Sequence, residues 1–126
     1  MAKNHNCINV ETASDIDGCD RLFSARKAAL IAANAFDPPE SQILTTDTCV
    51  PISKLIEYVS KANEFIRQSG LNAPLVGHIG DGNLHFFIVF SKAQQTQAHR
   101  LNTQLVRLAL ACQGTCTGEH GLGIGK

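Results

Sequence analysis

The sequence has no long apolar run and no block of charge of one sign. No uninterrupted apolar stretch approaches the ~20 residues of a membrane-spanning helix, and the opening MAKNHN lacks the charged flank and apolar segment of a secretory signal. Eleven basic residues balance eleven acidic ones, which argues against nucleic acid or an anionic membrane surface as a partner. The five cysteines, Cys7, Cys19, Cys49, Cys112 and Cys116, contain no CxxC pair. That excludes zinc-ribbon and thioredoxin-like sites, and the odd number fits free thiols in a reducing compartment. Cys112 and Cys116 are four apart, but Gly114 lies between them, so buried thiols are expected rather than helical metal ligands. Internal repeats and low-complexity tracts are also missing, and FDPPES (36–41) is the one loop-like tract before the hairpin around Asp81-Gly82. Glycines at 118, 121, 123 and 125 do not make a phosphate loop: GxxxxGK would need glycine where His120 stands, and GxGxxG does not occur.

What is present fits one globular domain, with 44% hydrophobic and 17% charged residues in 126. Residues 8–13 read as a short strand, and Ser14 with Asp17 has the spacing of a helix-start box for a helix over 17–35. Leu22, Phe23, Leu30 and Ala33 give that helix an apolar stripe, with Arg26 on the same side. A guanidinium there either snorkels to water or holds an anion, because an unpaired buried charge is costly. TTDTCVP (45–51) reads as a strand entering a helix with Pro51 near its first position. Leu55, Ile56, Val59, Ala62 and Ile66 form its apolar stripe, and Gly70 ends it. Strands follow over 74–79 and 84–90; in the second, His85, Phe87 and Val89 share one face, and Leu84, Phe86, Ile88 and Phe90 the other. Both faces are apolar, so both are expected to be covered. Ser91 and Gln94 form a capping box for a third helix with the stripe Leu101, Leu105, Leu108 and Cys112, closed by Gly114. This order predicts an α+β sandwich with a mainly antiparallel sheet.

Two segments carry chemistry. In GHIGDGNLH (77–85), Asp81-Gly82 predicts a two-residue type I′ turn, which pairs His78 directly with His85. Opposed side chains lie close enough for two imidazoles to hold one ion, or the hairpin simply carries two hydrogen-bonded histidines. Near the end of the chain, glycines flank Glu119-His120 and present a carboxylate beside an imidazole. If Glu119 joins His78 and His85, two nitrogens and one oxygen make a three-ligand set open to water or substrate. The alternative is that Glu119 caps a helix or pairs with Lys126.

VGHIGDGNLH (76–85) and GTCTGEHGLGIGK (114–126) resemble the signature segments of the C-terminal domain of FAD-linked 2-hydroxy-acid dehydrogenases. LFSARKAA (22–29) and TDTCVPISKL (46–55) match the same domain in the same order, most closely the cytochrome-linked D-lactate dehydrogenase branch. Glycolate oxidase large subunits are similar. The resemblance implies a ferredoxin-like α+β substrate and metal domain over residues 1–126, incomplete at both ends, that packs on a separate FAD-binding domain preceding it. It further implies a divalent metal, zinc or manganese, on His78, His85 and Glu119, and Asn83 toward the flavin. His120 takes the role of catalytic base, and imidazole is the side chain whose ordinary titration range spans neutral pH. Arg26 matches the arginine that grips the substrate carboxylate. Leu30 and Phe87 stand where relatives acting on dicarboxylic acids carry polar groups, which favours a small acid such as D-lactate. The implied reaction is oxidation of a D-2-hydroxy acid by hydride transfer to FAD, with an acceptor such as cytochrome c. The expected location is mitochondrial in a eukaryote, otherwise cytoplasmic or peripheral to the membrane. A non-catalytic metal-binding or interaction module derived from the domain is the alternative.

Overall fold

The computed structural model describes residues 8–35 and 40–122, without the side chains of residues 25–27, 29–31 and 33–35. It divides into two units, residues 1–32 and 33–126. In the first, the strand expected over 8–13 does not form, and Ile8 and Val10 are exposed. Helix α1 (Ile16–Ala35) starts one residue earlier than expected. Its cap is therefore Asp15, whose Oδ1 accepts the Gly18 N–H at 2.7 Å, in place of the anticipated Ser14 box. Phe23, assigned to the apolar stripe, is 55% exposed.

The second unit is built around one strand. Strand β4 (Asn83–Phe90) is buried along all eight residues. Strands β1 (Gln42–Thr45) and β2 (Thr48–Cys49) run antiparallel along one of its edges, and β3 (Leu75–His78) along the other. Helices α2 (Leu55–Ser69) and α3 (Gln95–Ala111) pack on each other, and α3 lies against β4 and β2. Leu84, Phe86, Ile88 and Phe90 meet Tyr58, Ala62, Leu101, Leu105 and Ala109 in the core. The α+β architecture with an antiparallel sheet is thus as the element order predicts.

Local sequence explains the helix boundaries. Pro51 precedes a single 3-10 turn, Ile52–Lys54, that leads into α2. Gly70, at φ 67°, ends α2 in the left-handed region. On α2, Tyr58 is fully buried whereas Ile56 is 82% exposed. At about 100° per residue, Ile56 falls outside the arc shared by Leu55, Tyr58, Val59 and Ala62. The Ser91 box is present, its backbone N–H donating to Gln94 Oε1 at 3.0 Å. At the far end of α3 the left-handed residue is Gln113, φ 64°, rather than Gly114. Gly114 instead donates its N–H to the Ala109 carbonyl at 2.8 Å. Cys112 is buried in the core, as expected of a small apolar thiol, whereas Cys116, expected to be buried as well, is only partly so.

The hairpin differs from the two-residue turn. His78 pairs with Asn83 and Val76 with His85, so the loop spans residues 79–82. Asp81 N–H bonds the His78 carbonyl at 2.9 Å, and Gly82 N–H the Ile79 carbonyl at 3.4 Å. A type I′ turn needs positive φ at both central residues, but here only Gly82, at φ 73°, has it. A Cβ on Gly82 would also overlap the Val50 carbonyl oxygen. The register is displaced by two residues, an even number, so every side chain keeps its face. His78 and His85 become diagonal rather than direct neighbours on the same face.

Candidate metal centre and active site

The odd-numbered face of β4, opposite the helices, carries Asn83, His85 and Phe87, and β3 adds His78 to it. The diagonal imidazoles lie edge to face, with ring centroids 5.9 Å apart. The loop after α3 brings Glu119 and His120 to this face. Glu119 Oε1 stands 2.9 Å from His85 Nε2, 3.2 Å from His120 Nε2 and 3.6 Å from His78 Nε2. Three of the residues singled out in the sequence therefore converge on the carboxylate of a fourth. Asp47, His85, Glu119 and His120 also offer ligand atoms within 4.8 Å of one another.

The chemistry of this donor set suits a cation. His85 Nδ1 lies 3.1 Å from the Thr46 carbonyl oxygen. A carbonyl only accepts, so Nδ1 carries the hydrogen, and in the neutral ring the Nε2 lone pair faces Glu119 Oε1. Two acceptors 2.9 Å apart repel unless a proton or a metal ion lies among them. Partial burial pushes the Glu119 carboxyl up, but the His120 hydrogen bond and the charges of His78, His85 and His120 outweigh it and hold it below its ordinary range. Exposure is graded across the site: the His85 side chain is 9% accessible, His78 32%, Glu119 46% and His120 58%.

Asp47, absent from the sequence-based site, has a central place. It is 2% exposed, and its carboxylate accepts the Thr117 hydroxyl and the N–H groups of Gly118, Glu119 and His120 at 2.8 to 3.1 Å. Burial pushes its pKa up, but these hydrogen bonds prevail and hold it well below the usual carboxylate range. The available sequence signal was an acidic residue inside a strand segment, where Asp is disfavoured.

Asn83 is buried, and its Oδ1 has no hydrogen-bond partner among the described residues. Gly118 lies so close that a Cβ there would overlap this oxygen. Phe87 is buried on the site face of β4. Arg26 and Leu30 belong to α1, and their side chains lie outside the described residues, as do Gly123, Gly125 and Lys126. Among the described residues no helix is long and apolar enough to cross a membrane.

The sequence that builds this site has relatives among known proteins. The whole chain, residues 1–126, matches the family described as FAD linked oxidases, C-terminal domain, and belongs to it. It is 43% identical over its full length to a mitochondrial D-lactate dehydrogenase [cytochrome] of Kluyveromyces lactis and 40% identical to that of Arabidopsis thaliana, covering 22% and 23% of those proteins. A glycolate oxidase subunit of Bacillus subtilis is 28% identical over 98% of the chain, which covers 26% of that protein. The chain thus spans about a quarter of the length of these relatives.

Proposed function

We propose that this chain is the substrate- and metal-binding part of a flavin-dependent dehydrogenase that oxidises D-lactate, or a similarly small D-2-hydroxy acid, to the 2-oxo acid. The observation that carries it is the convergence of His78, His85 and His120 on Glu119 Oε1, in a chain of the FAD-linked oxidase family. His78, His85 and Glu119 would hold a divalent ion, zinc or manganese, whose ligand preferences this set satisfies. When bound, such an ion would supply positive charge at the substrate hydroxyl, and FAD on the partner domain would supply a hydride acceptor.

The chain's own residues divide the remaining work. His120 is the most accessible imidazole of the cluster, which suits a group that must reach substrate. Its Nε2–H donates to Glu119, leaving Nδ1 to take the hydroxyl proton as the α-hydrogen departs with the electron pair. Asn83 would face the flavin: its unpartnered buried acceptor costs about 1–3 kcal/mol that a donor on a bound group would remove. Arg26 would grip the substrate carboxylate bidentately. Leu30 and Phe87 would line the side of the small substituent and disfavour a second carboxylate, which would be desolvated without a partner. The relatives named mitochondrial support the same location in a eukaryote, and the bracketed word in their names supports cytochrome c as acceptor.

The full-length protein tests this with both lactate enantiomers and elemental analysis. D-lactate turnover by a metal-containing wild type is expected. His120→Ala should abolish turnover and keep the metal, whereas His78→Ala or Glu119→Gln should empty the site. Undiminished turnover by a metal-free wild type would refute the assignment.

A further inference from the structure

Between β1 and β2 the ladder breaks for two residues, and both are polar yet buried: Thr46 is 1% exposed and Asp47 2%. The Thr46 carbonyl orients His85 through Nδ1. Its hydroxyl accepts the Phe86 N–H at 2.8 Å, which fastens the strand next to that histidine. Asp47 Oδ2 receives the Thr117 O–H at 2.8 Å and three successive backbone N–H groups, of Gly118 at 3.0 Å, Glu119 at 3.1 Å and His120 at 2.9 Å. Its Oδ1 takes a longer bond, 3.3 Å, from the Glu119 N–H. Successive amides converging on one anion form a nest, and here the anion is the protein's own side chain.

The geometry points to Asp47 as the positioning residue of the metal centre: it fixes the backbone from which Glu119 and His120 project, without itself coordinating. The inference rests on the metal assignment proposed above. Two observations separate positioning from coordination. Asp47 Oδ2 alone accepts four donors, and Oδ1 shares the Glu119 N–H with it, so turning Oδ2 toward a cation would strip Thr117, Gly118 and His120 of their acceptor. The closest approach to His85, Nδ1 to Oδ1 at 3.7 Å, is on the side of the ring away from Glu119. The loop needs such an anchor, since glycine at 118 and 121 gives its backbone little preference of its own.

The test is a Co²⁺ titration of the chelator-stripped full-length protein, followed by its visible absorption bands. Wild type is expected to bind the ion and Glu119→Gln to lose the bands. Asp47→Asn should give the wild-type band shape at about 10- to 100-fold weaker affinity, the usual cost of disturbing groups that orient metal ligands. Thr117→Val removes one donor and leaves Asp47 in place, and should weaken binding in the same direction by a smaller factor. Wild-type affinity in Asp47→Asn would reduce Asp47 to a loop-satisfying carboxylate, and an altered band shape would make it a ligand. Should Asp47→Asn fail to fold by circular dichroism, Thr117→Val decides: wild-type affinity there overturns the inference. A wild type that binds no Co²⁺ overturns the metal assignment itself, and the positioning role with it.

Discussion

Raising the pH through the alkaline range should unfold this chain in a way traceable to one hydroxyl. Tyr58 is the single tyrosine, and tryptophan is absent, so phenolate absorbance reports one group. Its ring is fully buried edge-on against Phe86, and its hydroxyl meets Thr48 Oγ1 at 2.8 Å and the Leu105 carbonyl at 3.4 Å. These contacts join α2, α3 and β2 beside Asp47. Burial, opposed by the Thr48 hydrogen bond, pushes the phenol from its ordinary 10.0 up to about 12. The folded state thus keeps its proton where the unfolded chain releases it. The resulting stability is complete below about pH 10 and is lost as pH rises toward 12. Two pH units correspond to about 3 kcal/mol. Urea unfolding of the 126-residue chain at a series of alkaline pH values should show this fall, with native-state phenolate appearing only near its end. Tyr58→Phe should be about 1 kcal/mol less stable at neutral pH, having lost its hydrogen bond, and should lack the tyrosine component of the alkaline fall. A phenolate that titrates near pH 10 while circular dichroism remains native would refute the reasoning.

Gly118→Ala places a methyl group against the buried Asn83 side chain. An expected cost of about 1–3 kcal/mol would appear as a lower urea midpoint, together with weaker metal retention as the loop backs away from Asp47; no change in either would count against the packing described. In the full-length protein, Arg26→Lys should raise KM for D-lactate as bidentate geometry is lost, and unaltered steady-state kinetics would remove Arg26 from the site.

Much of the site was legible because side-chain periodicity tolerates the error that was made. Asp81-Gly82 marked a hairpin correctly but left its loop length open, and the four-residue loop differs from the two-residue one by an even shift. His78 and His85 therefore share a face under either register. Glu119 and His120 announced themselves by their glycines and by resemblance. Asp47 did not, because its partners are the Thr117 hydroxyl and three backbone amides about 70 residues away, and amides leave no mark in a sequence. Helices α2 and α3 were legible as amphipathic stripes, yet Ile56, assigned to the α2 stripe, is exposed, and Tyr58, not assigned to it, is buried. Periodicity locates a face to within a residue or so, and the start of α2 after its 3-10 turn decides which neighbour points inward. Residues 8–13 failed as a strand because alternation alone supplies no partner edge.

The nest around Asp47 closes a span of 70 to 73 residues. Synthesis releases that carboxylate, then the histidine hairpin, and only afterwards the amides that neutralise it. A chain caught before residue 117 carries the Asp47 carboxylate without its donors and two imidazoles without the Glu119 carboxylate. Closing so long a span costs little more entropy than closing a short one, since the penalty grows only with the logarithm of length. In the proposed metal centre, ligand assembly would therefore be a late event in the life of a nascent chain, and an ion offered earlier would meet half a cage.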